Sequence, residues 1–273
     1  MNFFRLVLFF YQEVAMETIE VLKENKILRV FLNRPDVHNA FNDVMISELQ
    51  SVYDDAAKDD GIRVVVLTGR GKSFCAGADL HWMKGQIEYS FDENLEDALK
   101  LAELMYSIYH FPKPTIGRIN GSTIGGGTGL TAVNDIVIAS LDARFSLSEV
   151  KIGLVPACIS PYVLKRMGEK NCREYFITGE RLTAEKAKGT GLVNQVTEFE
   201  NLDKVVDSYV QKILTSGPNA ISVSKELVEK VPAMSIDDAK AYTAEVIAKL
   251  RVSEEGQEGM NAFFEKRKPA WAD

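Results

Sequence analysis

Alternating apolar positions at Ile19, Val21, Ile27, Val30 and Leu32 flank a Glu24-Asn25 turn and predict a pair of strands. Asn33-Arg34-Pro35-Asp36 ends the pair. The period then changes: Met45, Leu49, Val52, Tyr53 and Ala56 fall on one helical face, with Asn42 or Asp43 placed to cap it. The run Val64-Val65-Val66-Leu67, bounded by Gly69, predicts a buried strand. A polar stretch over 84–94 leads into a helix near 95–110, which Pro112 and Pro114 stop. Residues 115–119 and 135–139 read as strands on either side of the glycine-rich segment 121–129. Residues 145–156 read as a loop or short helix entered from a strand. From about Leu202 the pattern is helical. Tyr242, Val246 and Leu250 recur every four residues, and Phe263 and Phe264 lie in a final charged helix. Strand–helix–strand alternation predicts an α/β fold. The change near residue 200 is the one plausible boundary, giving a core over 16–200 and a helical region over 201–273.

Residues 3–10 form an apolar run with Arg5 inside it. It is too short to span a bilayer, and no small-residue cleavage site follows it. Residues 1–15 are therefore expected to be an extension ahead of Met16, or translation to start at Met16, in preference to an export signal. The 273 residues are 46% hydrophobic and 26% charged, which is ordinary globular composition. A net charge of -7 argues against nucleic acid as the main partner and leaves room for a local basic patch. Cys75, Cys158 and Cys172 are odd in number and widely spaced, so no disulfide framework is expected. His38, His81 and His110 are scattered, so no metal site is expected. A cytoplasmic location fits this usage.

Two glycine-rich segments invite false motifs. Gly71-Lys72-Ser73 resembles the end of a P-loop, but Val66 stands where the first glycine belongs. Gly125-Gly126-Gly127 resembles a dinucleotide fingerprint, but Leu130 takes the last glycine's place. No G-x-S-x-G elbow occurs. What remains is a pair of small-residue turns, 71–80 and 120–127, each following a predicted strand. Small residues let backbone N–H groups approach a ligand. Two such turns can hold one oxygen between two donors, an oxyanion hole. They equally suit close helix–strand packing.

The segments Phe74-Cys75-Ala76-Gly77-Ala78-Asp79 and Asn120-Gly121 with Gly125-Gly126-Gly127 resemble the paired signatures of the crotonase, or enoyl-CoA hydratase/isomerase, superfamily. Asn33-Arg34-Pro35 with Asn39-Ala40, the stretch from Phe145 to Pro156, and the stretch from Glu258 to Pro269 match the same family in order. The resemblance implies a crotonase-like spiral of ββα units with a C-terminal helical region. It implies a trimer or a hexamer and an acyl-CoA substrate, with no separate cofactor. The N–H groups of Ala78 and Gly126 would bind the thioester oxygen, and Glu149 would be the catalytic carboxylate. Ala76, Ala78, Asp79, Leu80 and His81 would line the coenzyme A channel. Phe263 and Lys266 would reach coenzyme A, commonly in a neighbouring subunit. Lys266, Arg267 and Lys268 also suit a phosphate-bearing ligand.

The chain departs from the two-glutamate hydratases at one point. Their first glutamate follows the triple glycine, where this chain has Gly129. Two readings remain. The segments around Ala78, Gly129 and 148–163 resemble bacterial methylglutaconyl-CoA hydratases, whose substrates carry a second carboxylate. On that reading the chain hydrates a branched dicarboxylic 2-enoyl-CoA, and space at Gly129 accommodates the carboxylate or its water. Alternatively, Glu149 alone shuttles a proton in a double-bond isomerase. A non-catalytic or RNA-binding role on the same fold is a third reading, disfavoured by Glu149 and by the net charge. Residues 82–94 are expected to shape the acyl pocket. Asp79 is expected to serve mainly as a helix cap, and Cys75 and Cys158 as small core residues rather than nucleophiles.

Overall fold

The computed structural model describes residues 12–272, with side chains from residue 16 onward. The apolar run at 3–10 lies outside the described residues. Strand β1 (Gln12–Ala15) pairs antiparallel with β2 (Ile19–Glu24), so the sheet begins before Met16. β2 turns back into β3 (Ile27–Leu32) through Asn25 and Lys26, both at positive φ. Strands β4 (Val64–Gly69), β6 (Thr115–Ile119), β8 (Ile136–Ser140) and β11 (Gln195–Thr197) extend the sheet in parallel, in the order β1-β2-β3-β4-β6-β8-β11.

The unbroken apolar run of β4 follows from burial on both faces. Val65 and Leu67 enter the main core with helix α1 (Asp43–Lys58). Val64 and Val66 face the other way, onto Leu202, Val206, Val210 and Ile213 of α7 (Leu202–Leu214). Burying each of those four side chains contributes about 1.5–3 kcal/mol. The first helix after residue 200 thus covers one face of the sheet built before it. The side chain of Asn42 caps α1 by accepting from the Met45 N–H at 3.0 Å.

A second sheet carries the site. Strands β5 (Ser73–Cys75), β7 (Ser122–Ile124) and β9 (Arg144–Ser146) run parallel, and β10 (Arg181–Thr183) closes the edge antiparallel to β9. Asn39 and Asn120 explain why asparagine stands in the Asn39-Ala40 and Asn120-Gly121 motifs. Both are buried. Asn39 Nδ2 donates to the carbonyls of Arg70 and Ser73 at 2.8 Å, and Asn120 Nδ2 donates to the Gly71 carbonyl at 3.0 Å. Together they satisfy the turn that aims β5. Buried carbonyls without such donors would each cost about 1–3 kcal/mol.

The remaining helices are α2 (Leu80–Gln86), α3 (Phe91–Tyr109), α4 (Gly126–Ala132), α5 (Ser160–Thr178), α6 (Ala184–Gly189), α8 (Pro218–Lys230), α9 (Ile236–Val252) and α10 (Glu254–Glu265). α3 starts four residues before the predicted Leu95. Ser90 and Glu93 form a reciprocal capping box there, so the polar stretch before Leu95 is partly helical. No helix among the described residues is long and apolar enough to cross a membrane.

Candidate active site

The carboxyl ends of β5, β7 and β9 lie side by side, each running into a short turn. Ligands bind at such strand ends in parallel α/β sheets. After β5, Gly77 turns the chain at φ +87°, and a Cβ there would meet the Ile124 carbonyl at 2.7 Å. Ala78 then forms a lone parallel bridge with Phe41. Phe41 N–H donates to the Gly77 carbonyl at 2.8 Å, and Asp79 N–H donates to the Phe41 carbonyl at 2.9 Å. Both neighbours of Ala78 are thus tied to one side, and its own N–H points to the other.

After β7, Gly125 reverses the chain at φ +53° and Gly126 opens α4. Its N–H belongs to the first turn of the helix and has no intrahelical acceptor. Among the described residues neither the Ala78 nor the Gly126 N–H has a hydrogen-bond partner. Gly126 must be glycine, since a Cβ would strike the Phe41 ring. Thr128 locks the turn by donating to the Ser146 carbonyl at 3.0 Å, while the Gly125 N–H donates to the same carbonyl at 2.8 Å.

After β9, a 3-10 turn over Glu149–Ile152 presents Glu149. The position of a Cβ on Gly125 lies 3.1 Å from Glu149 Oε1, so the carboxylate sits directly over the Gly125-Gly126 turn. Glu149 Oε2 is buried without a hydrogen-bond partner. Burial pushes the Glu149 carboxyl above the usual carboxylate range, against a smaller opposing pull from its own backbone N–H. A buried carboxylate oxygen without a partner is unfavourable for folding.

These groups share a cleft of about 540 Å³. Ala76, Ala78, Leu80, Gly126 and Glu149 line it. Asp79 and His81 do not. Asp79 is buried beneath the cleft, where its side chain accepts from the His81 and Trp82 N–H groups and pairs with Arg34 at 2.9 Å. Burial works against its charge, but those three donors together hold it below the usual carboxylate range. Asp79 is thus a cap, as expected of its side chain, and an anchor for Arg34. His81 points to solvent. Phe263 and Lys266 are also absent from the cleft of their own chain, and Phe263 is 78% exposed. Within the basic tail, Arg267 is already paired with Glu258 and Glu265.

The expected space at Gly129 is not there. Gly129 is buried in α4, and a Cβ on it would overlap the Ile159 side chain. Ile159 fills the room in which a glutamate would stand, and lines the cleft itself. Cys75 is buried, and burial pushes its thiol up to about 12, which removes it as a nucleophile. Of the segment 82–94, Trp82, Met83, Gln86 and Asn94 line the cleft. Sequence reading missed Phe41, Asp97, Leu101, Lys151, Cys158 and Ile159 as lining residues. Only α3 offered a signal. Its capping box at Ser90 sets a helical register in which Asn94, Asp97, Ala98 and Leu101 share a face.

The family model described as Enoyl-CoA hydratase/isomerase matches residues 22–273. This chain belongs to the enoyl-CoA hydratase/isomerase family. The crystal structure of an enoyl-CoA hydratase from Shewanella pealeana superposes with a TM-score of 0.91 at 40% identity, covering 94% of this chain and 96% of that one. A short-chain-enoyl-CoA hydratase of Clostridium acetobutylicum is 33% identical over 257 residues, 93% of this chain and 97% of the relative. An (E)-benzylidenesuccinyl-CoA hydratase of Thauera aromatica is 32% identical over 256 residues, 93% and 98% of the two chains. The two sheets and the helices around them have the crotonase architecture, and within it the three strand ends carry the family's signature segments.

Proposed function

We propose that this protein adds water across the double bond of a 2-enoyl-CoA, with Glu149 as proton carrier and the Ala78 and Gly126 N–H groups as the oxyanion hole. The observation that carries this reading is the unpartnered Glu149 Oε2 beside two unpartnered N–H donors in one cleft. A thioester carbonyl held by both donors draws electrons from the conjugated double bond. Water adds at Cβ, charge collects on the carbonyl oxygen as an enolate, and Cα takes a proton. One donor of this kind is worth about 2.7–4 kcal/mol of barrier. Coenzyme A is part of the substrate, and no step calls for another cofactor.

The acyl group we propose is a branched dicarboxylic one, such as 3-methylglutaconyl. Two things support this. The segments over 148–163 resemble hydratases of that class, and the Thauera aromatica relative is named for a succinyl-type thioester. Lys151 is the one cation among the cleft-lining residues. The second carboxylate is assigned to Lys151, because Ile159 closes the space at Gly129. Purified protein is expected to hydrate 3-methylglutaconyl-CoA with a kcat/KM at least about tenfold above that for crotonyl-CoA, an advantage of about 1.4 kcal/mol. Equal values would remove the dicarboxylate assignment. Conversion of a 3-enoyl-CoA without any hydration would promote the isomerase reading.

The proposed assembly is a trimer or a pair of trimers. Phe263 and Phe264 on α10 are 78% and 76% exposed in the isolated chain, an apolar patch that suits a subunit interface. In such an assembly Phe263 and Lys266 would reach the coenzyme A of a neighbour. Light scattering is expected to give three or six times the chain mass, and a stable monomer at micromolar concentration would refute this.

A further inference from the structure

We propose that Asp97 is the second catalytic carboxylate of the hydration, supplied from α3 in place of the side chain that Gly129 lacks. The inference rests on the hydratase reading above and assigns the group that takes the proton from water.

Asn94, Asp97, Ala98 and Leu101 form a stripe of α3 that lines the same cleft as Glu149, Ala78 and Gly126. Apolar side chains would suit most of such a stripe, yet Asp97 is set in it half-buried. Gln86 on α2 holds it, with Nε2 donating to Asp97 Oδ2 at 2.7 Å. Asp97 Oδ1 has no hydrogen-bond partner among the described residues, so one oxygen is fixed and the other is available. Its place is also the relevant one. The direction in which a Gly129 side chain would project is closed by Ile159. The preceding residue, Cys158, has its Sγ 3.5 Å from the carbonyl of Ala98, the residue after Asp97. Asp97 thus stands next in sequence to a residue in contact with the loop that ends in Ile159.

Few charges compensate Asp97. Lys100 lies one turn away and is paired with Glu96 at 2.9 Å, and Asp43 of α1 adds a like charge. Burial, followed by these acids, outweighs Gln86 and Lys100 and pushes its carboxyl above the usual range. A carboxylate so placed is a better base than one free in water.

The step balances as follows. The oxygen of water bonds to Cβ as one of its O–H bonds breaks, and that proton passes to Asp97. The π electrons of the double bond move into the enolate held by Ala78 and Gly126. They then form a C–H bond at Cα with the proton carried by Glu149. Asp97 ends protonated and Glu149 ionised, and exchange with solvent restores both.

The test compares Asp97→Asn, which keeps size and a hydrogen-bond acceptor for Gln86, with wild type on the best-hydrated 2-enoyl-CoA. Asp97→Asn is expected to lower kcat at least about 10²-fold with KM within a few-fold, and to flatten the acid limb of the kcat–pH profile. Asp97→Glu is expected to recover part of the loss. If the Asn variant does not fold, Asp97→Ser carries the same expectation. A kcat within about threefold of wild type, or a rise confined to KM, would overturn the role. Wild-type hydration that is lost in Glu149→Gln and kept in Asp97→Asn would overturn this inference alone. A wild type that hydrates no 2-enoyl-CoA would overturn the reading of function with it.

Discussion

Glu149→Gln is expected to lower kcat for hydration by about 10³-fold while KM changes little, since a positioned general acid or base contributes 10²–10⁴. The amide keeps the shape of the side chain over Gly125 and removes its ability to carry a proton. The same variant is expected to be more stable than wild type at about pH 8. Burial raises the folded-state pKa of Glu149, so the folded protein holds this proton more firmly than the unfolded chain does. That contribution to stability is complete below the unfolded carboxyl pKa and is lost as pH rises through the folded one. Glutamine stays neutral throughout. Melting curves should therefore show a higher Tm for the variant at about pH 8 and no difference below about pH 4. A variant that loses activity and also stability at high pH would mean that Glu149 is held by contacts unlike those described.

Gly129→Glu is expected to destabilise the fold by about 1–3 kcal/mol or more and to leave crotonyl-CoA hydration no faster. The substitution restores the residue type of a two-glutamate hydratase in a place where it has no room. Its Cβ would overlap the side chain of Ile159, the buried N-cap residue of α5. In an Ile159→Gly background the same addition should cost far less, because the obstructing side chain is gone. This is a strongly non-additive pair, and a double-mutant cycle on denaturant unfolding reads it directly. Equal costs in the two backgrounds would show that Ile159 is not what closes the position.

These two residues illustrate what the sequence could and could not carry. Glu149 was legible because its segment has a fixed order of small, charged and glycine residues after a strand. The gap at Gly129 was legible too, but its consequence was misread as open space. The side chain that fills it comes from thirty positions away, and no local pattern links the two. Asp97 was hidden for a related reason. It sits in a charged stretch that reads as a solvated helix face, and only its tertiary surroundings make it half-buried. The elements themselves were mostly readable from period alone. Met45, Leu49, Val52, Tyr53 and Ala56 are all buried in α1, as their spacing predicts. The apolar run 64–67 of β4 lies between α1 and α7, which explains why it shows no alternation. At the start of α3 the Ser90–Glu93 capping box outweighs the polarity that suggests a loop.

The central step is the addition of water at Cβ of a 2-enoyl-CoA held in this cleft. The most direct test is to incubate the purified protein with 3-methylglutaconyl-CoA and crotonyl-CoA in water labelled with heavy oxygen, and to read the products by mass spectrometry. The expected product is a 3-hydroxyacyl-CoA carrying one solvent-derived oxygen at C3 from at least one substrate, with none formed by Glu149→Gln in the same time. Unchanged substrates, together with a 3-enoyl-CoA that moves its double bond and takes up no oxygen, would contradict it.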